Sequence, residues 1–171
     1  MRDSVAPVLL FACGNPSRGD DALGPALIQG IRESGDRGLD GIEFQTDYQF
    51  QIEHALDLQG REQVLFVDAS VSASEPFEYT RLVAIQDCSY TTHSVSPATV
   101  LHIYKEVTRD HPPPAYLLSI RGYEFGLGQP ISARARDNLA ASILFVDKLL
   151  ANREDCYWLD ATLSAQVINS R

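Results

Sequence analysis

Apolar residues along this chain fall into two rhythms that alternate from one end to the other. Val8 to Cys13 is apolar throughout and stops at Gly14-Asn15-Pro16, the profile of a short buried strand ending in a turn. From Asp21 to Glu33 the apolar residues (Ala22, Leu23, Ala26, Leu27, Ile31) recur at helical spacing, and acidic residues at the start suit the positive end of a helix dipole. Ile42 to Tyr48 reads as a second strand and Gln51 to Leu58 as a short helix. Gln63 to Asp68 is a third strand, apolar within and closing on an aspartate. Phe77 to Val83 alternates and predicts a fourth, edge strand.

Ser96-Pro97 opens a helix to about Val107, since serine caps and proline at the first helical position gives up no needed hydrogen bond. Pro112 to Pro114 forces an extended loop, Ala115 to Tyr123 is a fifth strand, and Ser132 caps the longest helix. That helix should reach Leu150 with Ala135, Leu139, Ile143, Val146 and Leu150 facing inward. The segment from Asn152 to Arg171 is a tail in which a docked helix over 157–167 is one option. Strands alternating with helices imply an α/β fold: a three-layer α/β/α sandwich on a mainly parallel twisted sheet of about five strands. One domain is expected over 1–171, with its core at about 8–150. Ligands in such folds sit at the carboxyl ends of strands, which points to the residues after the first, third and fourth.

Charge narrows the partners. Fourteen Lys and Arg against 23 Asp and Glu give a net charge of −9, which disfavours phosphate backbones and anionic lipids, so neither nucleic acid nor membrane is expected as a partner. Three cysteines (Cys13, Cys88, Cys156) without a C-x-x-C pair fit a reducing compartment. The N-terminus carries Asp3 and an apolar run that stops at Gly14, unlike a signal peptide, and a cytoplasmic protein is expected.

The chemistry gathers at the predicted strand ends. The stretch Gly14-Asn15-Pro16-Ser17-Arg18-Gly19-Asp20-Asp21-Ala22-Leu23-Gly24 joins a strand to a helix but matches no phosphate-loop pattern, and two aspartates would repel a phosphate there. A cation suits it better. Asp68 closes the third strand, and His93 precedes the Ser96 cap in the loop after the fourth. Two hard oxygens and one imidazole on one rim make a three-ligand site with open positions, suited to Zn²⁺, Ni²⁺ or a similar ion. Each residue alone has an ordinary role open to it: Asp20 and Asp21 as helix caps, Asp68 as a loop support, His93 as a surface histidine. Their convergence is the functional signal. His54 is either a substrate contact or a solvated helix residue; Tyr48, Gln49 and Glu124 are rim positions or loop-stabilising polar groups. His102 and His111 carry no assigned role.

The run Ala12 to Gly24 resembles the N-terminal signature of the hydrogenase maturation proteases, the endopeptidases that trim the large subunit of [NiFe] hydrogenases. Val64 to Ala69 is similar to their second motif, a strand ending in aspartate. Thr92-His93-Ser94-Val95-Ser96-Pro97 is similar to the third, a histidine ahead of a helix. Ile120 to Gly128 with Ile131-Ser132 is similar to the last strand-loop-helix segment, so the likeness spans about residues 8 to 150 in order. Carried over by position, the family's metal-contacting residues fall on Asp21, Asp68 and His93, and Asp20 becomes a loop support. The family's Asp-Gly-Gly-Thr segment is replaced by Thr46-Asp47-Tyr48-Gln49, and its Glu-Pro by Glu124-Phe125. Both departures resemble the subgroup serving NAD-reducing, bidirectional hydrogenases.

The resemblance implies an endopeptidase that removes a C-terminal extension from the nickel-loaded precursor of a [NiFe] hydrogenase large subunit. Asp21, Asp68 and His93 would be both metal-contacting and catalytic, toward nickel contributed by the substrate, with zinc or cadmium as substitutes. Two other readings use the same ligands. A non-catalytic nickel-binding assembly chaperone would be expected to carry His-rich or Cys-rich tracts, and a zinc aminopeptidase-like hydrolase to carry a second ligand cluster. No Ser-His-Asp or Cys-His nucleophile is evident.

Overall fold

A computed structural model of the chain describes residues 5–34, 38–85 and 95–168. Five strands form one sheet in the order β2-β1-β3-β5-β4: β1 (Val8–Cys13), β2 (Ile42–Asp47), β3 (Gln63–Ser70), β4 (Phe77–Arg81) and β5 (Ala115–Arg121). All neighbours are parallel except β4, which runs antiparallel to β5. The helices are α1 (Leu23–Glu33), α2 (Pro97–Thr108), α3 (Ala133–Ala151) and α4 (Asp155–Ile168), with 3-10 helices at Gly19–Ala22 and Ile52–Leu58.

The period of two along the strands divides the core. Val8, Leu10, Ala12, Leu65 and Val67 point to one face, where they meet Leu27 and Ile31 of α1, Val146 and Leu149 of α3 and Trp158 of α4. Leu9, Phe11, Val64 and Phe66 point to the other, against Phe50, Ala55 and Leu58 beside the second 3-10 helix and Val100, Leu101 and Tyr104 of α2. Central strands must therefore be apolar on both faces, which is why β1 is buried at every position. This is the expected three-layer sandwich.

Several boundaries differ from the sequence reading. The 51–58 helix is a 3-10 helix whose first turn is closed by the side chain of His54, Nδ1 accepting from the Gln51 amide at 3.0 Å. On α3 the buried stripe runs through Ala135, Asn138, Ser142, Val146 and Leu149, while Leu139 and Ile143 are only partly buried. Polar residues tolerate this face because each is satisfied: Asn138 donates to the Arg121 carbonyl at 3.0 Å and Ser142 to the Asn138 carbonyl at 2.8 Å. The tail does dock as a helix. Trp158 is fully buried, its Nε1 donating to the carbonyls of Leu149 at 3.0 Å and Asn152 at 2.9 Å, and the Tyr116 hydroxyl donates to Asp155 at 2.7 Å. No helix among the described residues is long and apolar enough to cross a membrane.

The fourth strand was expected to end at the ligand-binding rim. It does not. Being antiparallel, β4 ends with Arg81 opposite Tyr116, at the amino end of β5. The chain returns to the rim through the N-terminus of α2 instead, where the Val95 amide donates to the Phe50 carbonyl at 3.2 Å.

Candidate functional site

At the carboxyl ends of β1, β2 and β3 lies a cleft of about 590 Å³ lined by Cys13, Asn15, Asp21, Asp68, Tyr48 and Ser96, among others. The turn from β1 into α1 is what brings Asp21 there. Gly14 adopts φ = 144°, and a Cβ on it would meet the Asp21 carbonyl oxygen at 1.9 Å; a Cβ on Gly24 would meet that of Cys13 at 2.3 Å. Only glycine permits these approaches, so the 3-10 turn is pressed flat on the strand end.

The two aspartates of this turn part company. Asp20 is fully buried and accepts four hydrogen bonds: from the amides of Tyr123 (2.7 Å), Glu124 (2.9 Å) and Ser132 (2.7 Å), and from the Ser132 hydroxyl (2.9 Å). Its own amide donates to the Glu124 carbonyl at 2.7 Å. It fastens the first loop to the loop between β5 and α3, the support role the motif implied. Asp21 is half-buried, accepts from the Asn15 amide at 3.0 Å and faces the cleft.

Asp68 enters the cleft from β3, one Oδ1 lone pair taken by the Ala69 amide at 2.8 Å. Burial pushes its carboxyl up to about 6; the Ala69 hydrogen bond opposes this and the charge of Asp21 reinforces it. Two carboxylates, one of them held above its ordinary range, make a rim that gains by taking a cation. Asp21 and Asp68 thus line the same cleft. The expected third ligand, His93, lies outside the described residues, as does Cys88. Val95, Ser96 and Pro97, two to four positions after His93 in the sequence, are in the cleft wall. Among the described residues there is no cluster of three or more His, Cys, Asp or Glu with metal-binding geometry.

Cys13 lies in the cleft floor and is 2% exposed. Burial pushes its thiol far up, and the charges of Asp68, Asp47 and Asp21 add to this, so it carries no thiolate at neutral pH and is no nucleophile. His54 is not a solvated helix residue: it is 7% exposed, packs on Phe11 with ring centroids 4.5 Å apart, and places Nε2 3.3 Å from Asp47. Because Nδ1 accepts the Gln51 amide, the Nε2–H tautomer faces Asp47. The pair steadies the end of β2, where sequence spacing alone could not have joined two residues on different elements. Tyr48 and Gln49 line the cleft. Glu124 is absent from its lining and instead donates its amide to Asp20.

The fold recurs in solved structures. The chain superposes on a [NiFe] hydrogenase maturation protease HycI from Thermococcus kodakarensis KOD1 with a TM-score of 0.62 at 19% identity, covering 86% of this chain and 94% of that one. The hydrogenase maturating endopeptidase HybD from E. coli gives a TM-score of 0.60 at 19% identity over 81% and 88% of the two chains. A hydrogenase 2 maturation peptidase from Thaumarchaeota archaeon SCGC_AB-539-E09 gives 0.59 at 20% identity over 84% and 97%. The fold is that of the hydrogenase maturation peptidases. Within that maturation-peptidase fold, identities this low speak for architecture and not for chemistry. No family model matches the sequence, and no curated protein is detectably similar to it.

Proposed function

We propose that this protein is an endopeptidase that removes a C-terminal extension from the nickel-loaded precursor of a [NiFe] hydrogenase large subunit. The observation that carries the reading is the pair Asp21 and Asp68 in one cleft of a maturation-peptidase fold, with Asp68 held near 6. Two oxygen donors fit a divalent ion of intermediate hardness such as nickel, and zinc or cadmium would occupy the same donors. In the substrate complex, Asp21, Asp68 and His93 are the residues that would hold the precursor's nickel. A bound metal of this kind polarises a carbonyl and acidifies water.

The protein's own part is positioning and proton handling. The Asp20 anchor keeps Asp21 pointed into the cleft, and Ser96 places the N-terminus of α2 beside it. Asp68 exchanges its proton near pH 6, so cation capture competes with protonation and weakens below that pH. Mixing the protein with a candidate precursor, nickel-loaded or nickel-free, and reading the precursor's mass tests the proposal. One C-terminal truncation confined to the nickel-loaded sample is expected. Nickel-dependent binding without cleavage would replace it with the assembly-chaperone reading.

A further inference from the structure

Among the described residues, the outer backbone edge of β2 is open next to the cleft. β2 is an outer strand, and its alternation fixes which groups face outward. The Asp47 carbonyl accepts from the Gly14 amide on the β1 side at 3.0 Å, so Gln45 and Glu43 also face β1, and Phe44 and Thr46 direct their N–H and C=O away from the sheet. Among the described residues nothing hydrogen-bonds the backbone of Phe44 or Thr46 on that side. The strand then runs through Asp47 and Tyr48 straight into the cleft.

Two further features lie along this path. A second cavity of about 360 Å³, lined by Gly14, Pro16, Pro25, Thr46, Asp47 and Tyr48, adjoins the end of β2 and shares Tyr48 with the cleft. Tyr48 is 70% exposed and Ile52 is 55% exposed, so the flank offers apolar surface for side chains. An open strand edge, a side-chain pocket beside it and an apolar flank are the parts that bind an extended peptide by strand addition. An unprotected edge is otherwise a liability that folds tend to cover.

We propose that the substrate segment released by cleavage binds as an added strand on the outer edge of β2. This rests on the peptidase reading. The metal-bearing body of the precursor must sit over the cleft, which leaves the short trailing segment as the part able to extend. Leaving the cleft at the carboxyl end of β2, that segment runs antiparallel to the strand and bonds to Phe44 and Thr46. A side chain near the scissile bond enters the cavity of Pro16, Pro25 and Tyr48.

Thr46→Pro tests this, because proline is tolerated on an edge where the lost N–H faces outward. With nickel-loaded precursor, Thr46→Pro should lower kcat/KM roughly tenfold, about the worth of the one hydrogen bond its missing N–H would have donated. Thr46→Val, which changes the same cavity-lining side chain but keeps the amide, should lose clearly less than Thr46→Pro, and the melting temperatures of both should match the parent. Normal cleavage by a folded Thr46→Pro overturns the proposal. If that variant does not fold, amide exchange on the unaltered protein decides, using a synthetic peptide spanning the cleavage site. Slowed exchange at Phe44 and Thr46 supports added-strand binding; unchanged exchange while cleft resonances shift overturns it. Concentration-dependent protection without peptide assigns the edge to a second copy of this chain and also overturns it. No cleavage of nickel-loaded precursor by the unaltered protein is a different failure, that of the peptidase reading itself.

Discussion

Asp20 is fully buried and takes four hydrogen bonds, three of them from backbone amides of the β5–α3 loop, while Asp21 takes one and faces the cleft with Asp68. The same chemical group thus does two jobs at adjacent positions. A carboxylate whose lone pairs are filled stabilises the fold. One left half-solvated against a like charge costs the fold something and is available to a ligand. The difference lies in the donors that surround each, and it predicts opposite responses to substitution.

The largest effects should separate activity from stability. Asp68→Ala and His93→Ala should each lower cleavage of nickel-loaded precursor by roughly 100-fold or more, the scale of losing a positioned charge at a reacting centre. Circular dichroism should show both folded. Normal cleavage by both variants would remove the metal-site assignment.

Asp20→Ala should behave in the reverse way, losing about 3–5 kcal/mol in urea unfolding because the donors its carboxylate satisfied are left buried and unpaired. Ser132 gives Asp20 both its amide and its hydroxyl, and its oxygen also accepts from the Ala135 amide to cap α3. Ser132→Ala should cost less than Asp20→Ala, and the double variant should fall well short of additive. Full additivity would mean the two residues do not act as one anchor.

Asp68→Asn gives a subtler test. Its carboxyl titrates near 3.8 when unfolded and is held to about 6 when folded. Between those values the folded state binds the extra proton, so stability falls as pH rises through the window and stays lowered above it. Removing the charge should therefore stabilise the protein at pH 7, by on the order of 2 kcal/mol, with the gain fading to nothing below about pH 4. Melting curves at pH 4, 5.5 and 7 read this directly. A gain that persists unchanged at pH 4 would contradict the burial argument. The smallest effect expected is that of Ser96→Ala, about 1 kcal/mol, for a helix cap whose oxygen accepts from Thr99 at 3.2 Å.

Much of this architecture is written locally. β1 is bounded by its apolar run and by Gly14, and Ser96 and Ser132 cap their helices as their sequence context predicts, because those signals act within one turn. Asp21 and Asp68 could be placed together because both close buried parallel strands or the turns that follow them. What sequence could not reveal depends on partners far along the chain. The burial of Asp20 needs donors more than a hundred residues away, and the His54–Asp47 pair joins two elements whose contact is set by the sheet. The direction of β4 was likewise hidden, since an alternating edge strand carries no mark of its orientation.

The account stands on the separation of Asp20 from Asp21, and Asp21→Asn tests it most directly. Unfolding of this variant and its cleavage of nickel-loaded precursor would be measured on the same sample. The predicted result is a near-parental unfolding midpoint with cleavage lost. A variant that cleaves at the parental rate, or one that loses activity only because it unfolds, would contradict the separation of anchor from site.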